Sequence, residues 1–205
     1  MIYHVFNRSI ADFVIFNNRE EFSRMIDLFN YYQIEKTISF SRYSELIKTR
    51  TENGQLLNGT KLVGIIAYCL MPTHFHIILN ELNENGLSLF IKNILNSYTR
   101  YFNIKHNRKG PLWESRSKKV SIESDEQLLH LTRYIHLNPV TSYLVKMPED
   151  WPYSSYKEYI FKALINKQIC TYKNYLDIKP HIYAKFVEDG ILYQREMAKV
   201  KQLPE

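Results

Sequence analysis

Apolar residues recur along this chain with two periods, one typical of strands and one typical of helices. Residues 2–10 (IYHVFNRSI) predict a first strand. Residues 18–32 predict an amphipathic helix whose N-terminus carries a capping box formed by Asn18 and Glu21. The helical spacing rests on four apolar residues, Phe22, Met25, Ile26 and Phe29.

The most apolar stretch, residues 62–70 (LVGIIAYCL), predicts a central strand, because strands buried on both faces are continuously apolar. A break at residues 71–73 (MPT) separates it from residues 74–80 (HFHIILN), so the two segments predict an antiparallel hairpin. Before the hairpin, residues 37–40 predict a short strand. Residues 41–60 predict a long polar connector with room for one helical turn.

The second half of the chain predicts two further helices and another strand. Residues 86–103 predict a helix and residues 115–124 a strand. Residues 124–138 predict a third helix, which Ser124 caps and Pro139 ends, because proline cannot donate the next helical hydrogen bond.

This order of elements predicts an α+β fold, in which helices pack on one face of an antiparallel sheet. We expect a core domain at residues 1–147. The segment WPYSSYKEYIFKALI and the residues after it predict a helical C-terminal extension, residues 148–205, that packs on the core.

Two histidines stand one residue apart in the second strand of the hairpin. Side chains alternate along a strand, so His74 and His76 share one face while Phe75, Ile77 and Leu79 share the other. A lone histidine here would favour a half-exposed surface residue. For His-x-His in a clean alternation, a metal site and a pair of surface histidines are about equally well supported.

The third helix carries a row of polar side chains beside its core-facing stripe of Leu128, Leu131, Thr132 and Ile135. His130, Tyr134 and Asn138 lie four residues apart, on one line along the helix. Set over the histidine pair, this row would give a divalent ion two imidazoles and an amide oxygen, and would bring a phenol beside it. Such an ion polarises a phosphate oxygen, and the phenol can attack phosphorus to form a phosphotyrosine.

Simpler interpretations of Tyr134 and Asn138 stay open. Among 16 tyrosines, any one can be structural, and Asn138 can be a helix-terminal residue that Pro139 forces out of helical geometry. Nitrogen ligands favour manganese, cobalt, nickel or zinc over magnesium in affinity, whereas cellular abundance favours Mg²⁺ or Mn²⁺.

The composition of the chain limits the cellular locations that we expect for it. The chain is 45% hydrophobic, has no apolar run long enough to span a membrane, and does not begin like a signal peptide. Cys69 and Cys170 have neither metal nor redox spacing. We therefore expect a reduced, cytoplasmic protein.

The net charge of +6 comes from 27 basic and 21 acidic residues, and it is concentrated in one segment. Residues 92–119 carry eight basic residues against Glu114 alone, interleaved with four aromatic rings. Cations for phosphates and rings for unstacked bases favour single-stranded nucleic acid over a merely solvated helix face. The basic residues are Lys92, Arg100, Lys105, Arg108, Lys109, Arg116, Lys118 and Lys119, and the rings are Tyr98, Tyr101, Phe102 and Trp113.

Five motifs in order, YHVFNR, YCLMPTHFHIIL, GPLWESR, RYIHLNPV and WPYSSY, span roughly residues 2–157. Together they make the chain resemble the HUH single-tyrosine transposases, most closely the REP-associated tyrosine transposases. Three departures are Thr73, where asparagine is common in the family, Glu114, where glutamine is frequent, and the connector at residues 41–60, which is longer than the family minimum.

The resemblance implies a ferredoxin-like fold and a transposase that nicks and joins single-stranded DNA beside hairpins through a 5′-phosphotyrosine. It implies Tyr134 as the nucleophile and His74 and His76 as metal ligands, with Asn138 at the position of a third ligand. The expected DNA-binding residues are Arg8, Arg100, Lys105, Arg108, Lys109, Trp113, Arg116, Lys118 and Lys119.

Two other functions remain open at this point. One is a relative that holds hairpin-bearing single-stranded DNA or RNA without cutting it, and the other is a metal-dependent phosphodiesterase that uses water. The sequence is compatible with a monomer or a homodimer.

Overall fold

A computed structural model describes residues 1–48, 59–161 and 168–200. Within these residues the strands are β1 (Ile2–Arg8), β2 (Val63–Met71), β3 (His74–Glu81) and β4 (Lys118–Ile122). The helices are α1 (Arg19–Tyr32), α2 (Phe40–Lys48), α3 (Gly86–Lys105), α4 (Asp125–Thr141), α5 (Tyr156–Ile160), α6 (Pro180–Glu188) and α7 (Ile191–Val200). Short 3₁₀ turns lie at Ile10–Asp12, Pro148–Asp150 and Tyr172–Asn174.

The four strands form one antiparallel sheet in the order β2-β3-β1-β4. This is the strand order of a ferredoxin-like sheet, so the predicted α+β fold is confirmed. The predicted hairpin is also present, because Met71 pairs with His74 across a two-residue turn. β1 lies between β3 and β4, with Phe6 opposite His76 and Arg8 opposite His74.

One face of the sheet packs on α1 and α3 and is called the helix face here. It carries Phe75, Ile77 and Leu79, each 0% exposed. Phe75 packs edge-on against Phe29 of α1, with ring centroids 5.9 Å apart. The predicted cap of α1 is present, since the Asn18 side chain accepts a hydrogen bond from the Glu21 backbone N–H.

The prediction that helices cover one face alone is wrong for α4, which packs on the opposite face against β2 and β3. That opposite face, called the cleft face here, carries His4, His74 and His76. The physical reason lies in β2, where all residues of Val63–Met71 are buried. Apolar side chains therefore point both ways from β2, and the second set needs a covering helix.

β2 is an edge strand by sheet order, not the central strand that its apolar run predicted. It is nonetheless buried, because later chain segments cover its outer edge. Leu70 N–H donates to the Tyr153 carbonyl at 2.9 Å, and Ser155 N–H donates to the Tyr68 carbonyl at 2.9 Å. These hydrogen bonds satisfy backbone groups that an exposed edge would leave open.

Helix α4 runs through Pro139 to Thr141, so the predicted stop at residue 138 is wrong. Proline removes one backbone donor, but the helix hydrogen bonds resume when Ser142 N–H donates to the Asn138 carbonyl at 2.9 Å. The chain leaves the helix at Tyr143, whose φ is 57°. Asn138 therefore keeps helical geometry and stays in line with Tyr134.

The region before β2 also differs from the prediction. In place of a strand at residues 37–40, α2 begins at Phe40 and occupies part of the predicted connector. Phe40 and Tyr43 pack on Tyr31, with centroid distances of 5.2 and 4.5 Å. This aromatic contact favours a helix, because residues three apart share a helix face. Residues 49–58 of the connector lie outside the described part of the chain.

The predicted helical C-terminal extension appears as α5, α6 and α7, while residues 162–167 and 201–205 lie outside the described part. Helix α7 packs on α4, where the Gln194 side chain donates to the Tyr134 carbonyl at 3.1 Å. The predicted boundary after residue 147 stays a prediction. Among the described helices, none is long and apolar enough to cross a membrane.

Candidate active site

The cleft face of the sheet, together with α4 and α7, encloses a cleft of about 1050 Å³. It brings together residues that are distant in sequence, from three strands and two helices. Its polar lining includes His4, Arg8, His74, His76, Arg116, Lys118, His130, Arg133, Tyr134, Asn138 and Gln194.

The two histidines of the His-x-His pair point into this cleft, as the strand alternation predicted. Their rings are nearly perpendicular, with an interplanar angle of 86° and centroids 5.3 Å apart. Nδ1 of His74 lies 3.0 Å from Thr73 Oγ1, and Nδ1 of His76 lies 3.0 Å from Nε2 of His4. No hydrogen bond to either Nε2 is seen within residues 1–48, 59–161 and 168–200.

His4 is a third histidine of the site that sequence reasoning missed. It is 9% exposed and stacks on His76, with centroids 5.2 Å apart and an interplanar angle of 22°. The pairing of Phe6 with His76 places His4 on the same face. The motif YHVFNR contains this histidine, but only the pairing of β1 with β3 shows what it contacts.

Burial lowers the pKa of His74 to about 4, with the nearby Arg8 charge adding to the effect. Burial also brings the pKa of His76 well below its ordinary value, and the neighbouring His74, His4 and Arg8 act in the same direction. Both rings are therefore neutral at pH 7, which is the form in which imidazole binds a metal.

Tyr134 and Asn138 lie on the α4 wall of the cleft, one helical turn apart. The Tyr134 ring, 37% exposed, stands at 87° to the His76 ring with centroids 5.9 Å apart. Burial raises the pKa of Tyr134. Asn138 is 8% exposed, and its buried side-chain nitrogen has no hydrogen-bond partner among the described residues.

These residues fit a divalent metal ion. Two neutral imidazoles present Nε2 atoms that have no other partner in the described part of the chain, and Asn138, whose amide oxygen is its metal-binding atom, lines the same cleft. The described residues contain no group of three or more His, Cys, Asp or Glu side chains that could hold a metal. Any ligand set here therefore combines the histidine pair with an amide or solvent.

The remaining member of the predicted helical row, His130, is engaged by Arg133, whose guanidinium donates to His130 Nδ1 at 3.0 Å. The Arg133 guanidinium also lies 4.3 Å from the centroid of the Phe186 ring. Gly190 leaves room for it, since a Cβ at residue 190 would lie 2.8 Å from Arg133 Cδ. Sequence reasoning missed this fixed arginine, which directly precedes Tyr134 in the motif RYIHLNPV.

His136 holds α4 in place from the side away from the cleft. It is 0% exposed, and its ring nitrogens lie 2.7 Å from the Tyr183 hydroxyl and 2.8 Å from Ser155 Oγ. Ser155 Oγ in turn accepts from the Tyr68 N–H of β2 at 2.9 Å. The helix that carries Tyr134 is thereby tied to β2 and α6 of the same chain.

The predicted DNA-binding residues divide between the cleft and other surfaces. Arg8, Arg116 and Lys118 line the cleft. Lys119 lies on the other face of β4, with its amine 5.1 Å from the Tyr3 ring centroid. Glu114, the acidic residue of the basic segment, also lines the cleft.

Arg8 also pairs with Asp12 at 3.2 Å, and other members of the predicted set are bound to the protein itself. Lys105 pairs with Glu20 at 2.7 Å, Arg108 donates to the Pro111 carbonyl at 2.7 Å, and the Trp113 indole donates to Thr99 Oγ1 at 3.0 Å. These three residues lie outside the lining of the cleft, as do Arg100 and Lys109.

Parts of this chain are similar in sequence to known proteins. The family model described as "Transposase IS200 like" matches residues 42–138. A putative REP-associated tyrosine transposase of Haemophilus influenzae is 28% identical over an alignment of 101 residues, and the match covers 44% of this chain and 57% of that protein. The REP-associated tyrosine transposase of Escherichia coli K12 is 28% identical over 102 residues, 49% of this chain and 58% of that protein. The matches thus span little more than half of each curated relative.

A solved structure, a REP-associated tyrosine transposase bound to a REP hairpin, has the same fold with a TM-score of 0.51. It is 17% identical, and the match covers 80% of this chain and 81% of the other. This structure supports the fold, while the family model and the curated relatives confirm the resemblance that the five sequence motifs predicted.

Proposed function

From its resemblance to the IS200-like and REP-associated tyrosine transposases, we propose that this chain is a metal-dependent transposase. It nicks and joins single-stranded DNA beside hairpins through a 5′-phosphotyrosine on Tyr134. The observation that carries the proposal is the placement of the Tyr134 ring 5.9 Å from the ring of His76 in one cleft.

His74, His76 and Asn138 would hold the ion, Mg²⁺ or Mn²⁺, which when bound supplies a Lewis acid for a phosphate oxygen. Tyr134 supplies the nucleophilic oxygen. The phenol releases its proton to solvent as its oxygen bonds to phosphorus and the bond from phosphorus to the 3′-oxygen breaks. The departing 3′-oxygen takes up a proton from solvent, which leaves a free 3′-hydroxyl and a tyrosine joined to the 5′-phosphate. The phenol is protonated at neutral pH, and burial raises its pKa further.

Four cations would hold the DNA backbone along the cleft. Arg8, Arg116 and Lys118 come from the sheet side, and Arg133 comes from α4 beside the nucleophile. Arg133 is already fixed by Phe186 and His130, so it loses little freedom when it binds a phosphate. Because one of the related transposases was solved with a REP hairpin, we propose hairpin-bearing single-stranded DNA as the substrate.

Tyr134 and the histidine pair lie in the cleft of one chain, so the proposed site needs no residue from a second copy. The ties from His136 to Ser155 and Tyr183 support this, since they fix α4 against its own sheet.

The test is incubation with hairpin-bearing single strands and Mn²⁺, followed by a denaturing gel. The protein should form a covalent adduct, whereas Tyr134→Phe should bind the same DNA and form none. The matched control is Tyr143→Phe, because Tyr143 is 65% exposed and lies outside the cleft lining. This control should form the adduct normally.

Other outcomes identify other functions. Cleavage by both Tyr134→Phe and the parent protein without an adduct would indicate a phosphodiesterase that uses water. Binding without cleavage by the parent protein would indicate a hairpin-binding protein. An adduct mapped to another residue in Tyr134→Phe would refute the assignment of the nucleophile.

A further inference from the structure

Both rings of the His-x-His pair are engaged through the same nitrogen. His74 uses Nδ1 toward Thr73 Oγ1, and His76 uses Nδ1 toward His4 Nε2, each at 3.0 Å. The Nε2 atom of each ring is left for the cleft. The two contacts differ in kind, because a hydroxyl can rotate to donate or accept, whereas each imidazole nitrogen has a fixed role in a given tautomer.

The contact between His4 and His76 holds one proton between two nitrogens. If His76 Nδ1–H donates to His4 Nε2, then His76 Nε2 is bare and its lone pair is free. If His4 Nε2–H donates instead, His76 carries its own proton on Nε2 and cannot bind a metal through that atom. The choice between these two tautomers decides whether His76 is a ligand.

We propose that His4 is a positioning residue that accepts the Nδ1 proton of His76 and so holds Nε2 of His76 ready for the metal. Thr73 does the same for His74 through its hydroxyl oxygen. This inference rests on the proposed function, since it concerns the ion that the proposed reaction uses.

A partner of this kind is common around metal-binding histidines, where the usual acceptor is a carboxylate or a backbone carbonyl. A carboxylate beside His76 would add a negative charge to a cleft that has to admit a phosphodiester. A neutral imidazole accepts the same hydrogen bond without that charge. His4 therefore orients the ligand and leaves the positive potential of Arg8, Arg116 and Lys118 intact.

His4 is not placed to be a third ligand itself. Its Nε2 is already at hydrogen-bonding distance from His76, and no set of three histidines suited to a metal is found in the described residues. Simple packing does not account for it either, because a leucine or phenylalanine would fill the space beside Phe6 without placing a buried polar nitrogen there.

The experiment measures Mn²⁺ binding to the full chain without DNA, by calorimetry or by the electron paramagnetic resonance signal of free Mn²⁺. His4→Phe keeps a ring but cannot accept a proton, and we expect it to weaken Mn²⁺ binding by about 10- to 100-fold. His4→Gln restores an acceptor and should recover most of the affinity. Thr73→Val should weaken binding in the same way, and Thr73→Ser should not.

The matched control is His181→Gln, which removes an exposed histidine of α6 that lies outside the cleft lining and should leave Mn²⁺ affinity unchanged. If folded His4→Phe binds Mn²⁺ as tightly as the parent protein, or if His4→Gln is as weak as His4→Phe, the positioning role is refuted. If the parent protein and a His74→Ala/His76→Ala variant take up Mn²⁺ equally, the proposed metal centre itself fails.

A second measurement needs no substitution and so does not depend on a variant that folds. Nitrogen-15 correlation spectra of the imidazole rings in the metal-free parent protein report which ring nitrogen carries the proton. We expect His76 to be protonated on Nδ1 and His4 to be protonated on its own Nδ1. A His76 ring protonated on Nε2 would overturn the inference.

Discussion

The two faces of the sheet differ in the side chains that they carry, although these side chains come from neighbouring residues of the same strands. On the helix face, Phe75 and Ile77 are 0% exposed and touch apolar side chains from α1 and α3. On the cleft face, His74 and His76 alternate with them and lie among polar groups. Because side chains alternate along a strand, residues that stabilise the core and residues of the candidate site follow one another in the sequence. Substitutions on the two faces should therefore give opposite phenotypes.

The largest effect is expected from His74→Ala/His76→Ala on the cleft face. Without the two imidazoles only Asn138 remains of the proposed ligand set, so covalent adduct formation with Mn²⁺ present should be abolished. Chemical denaturation should show a smaller loss of stability than a core substitution on the helix face causes. If the double variant forms the adduct at the parent rate, the cleft face does not hold the metal and the proposed difference between the two faces is wrong.

On the helix face, Phe75→Ala should lower the free energy of unfolding by about 3–5 kcal/mol, since it leaves a cavity between α1 and the sheet. Adduct formation per folded molecule should persist at permissive temperature. Urea denaturation measures the first quantity and a gel assay the second. Phe75→Leu, which keeps more of the volume, should lose less, and complete loss of activity in this folded variant would show that the two faces are coupled.

The pH dependence of stability should sharpen the same comparison. Burial depresses the pKa of His74 to about 4 and that of His76 well below its ordinary value of 6.5, so the unfolded chain binds protons that the folded chain does not. Stability should therefore be full above about pH 6.5 and fall as the pH drops toward 4. Each histidine contributes a slope of up to about 1.4 kcal/mol per pH unit.

Denaturation at several pH values between 4 and 7 checks this prediction. His74→Ala/His76→Ala should flatten the slope, and Phe75→Ala should leave it unchanged while lowering the whole curve. An equal slope in the parent protein and the double-histidine variant would mean that folding does not lower the pKa of the two rings.

The smallest effect distinguishes two adjacent lysines of β4. Lys118 lines the cleft, whereas Lys119 lies over the Tyr3 ring on the other face. Lys118→Ala should reduce the slope of log affinity against log salt for single-stranded DNA by roughly 0.7, as expected for one lost phosphate contact. Lys119→Ala is the matched control and should leave the slope unchanged. A reduced slope in Lys119→Ala would place the DNA on the helix side of β4.

Local periodicity could predict most of the candidate site. Strand alternation put His74 and His76 on one face, and the four-residue spacing put Tyr134 and Asn138 on one line of a helix. His4 could not be found this way, because its contact with His76 depends on the pairing of strands 72 residues apart. The basic segment misled for a related reason, since counting charges cannot tell Lys118 from Lys119.

Two fold errors came from local rules that tertiary contacts override. Pro139 should end a helix, but the ties of α4 to β2 and α6 outweigh one missing hydrogen bond. The apolar run of β2 predicts a central strand, although it also fits an edge strand covered by α4 and by residues 151–155. Knowing that a strand is buried does not reveal what buries it.

The covering of β2 also bears on how the chain folds as it is synthesised. Tyr153 and Ser155, which pair with the β2 edge, are made more than 80 residues after Tyr68. Until they leave the ribosome, β2 presents an apolar strand with an open edge, which is a surface prone to aggregate and attractive to chaperones. The anchor of His136 on Ser155 is also missing at that stage. The nucleophile therefore gains its final position only after the cover of β2 has been translated, so an incomplete nascent chain does not yet carry an assembled site for cutting DNA.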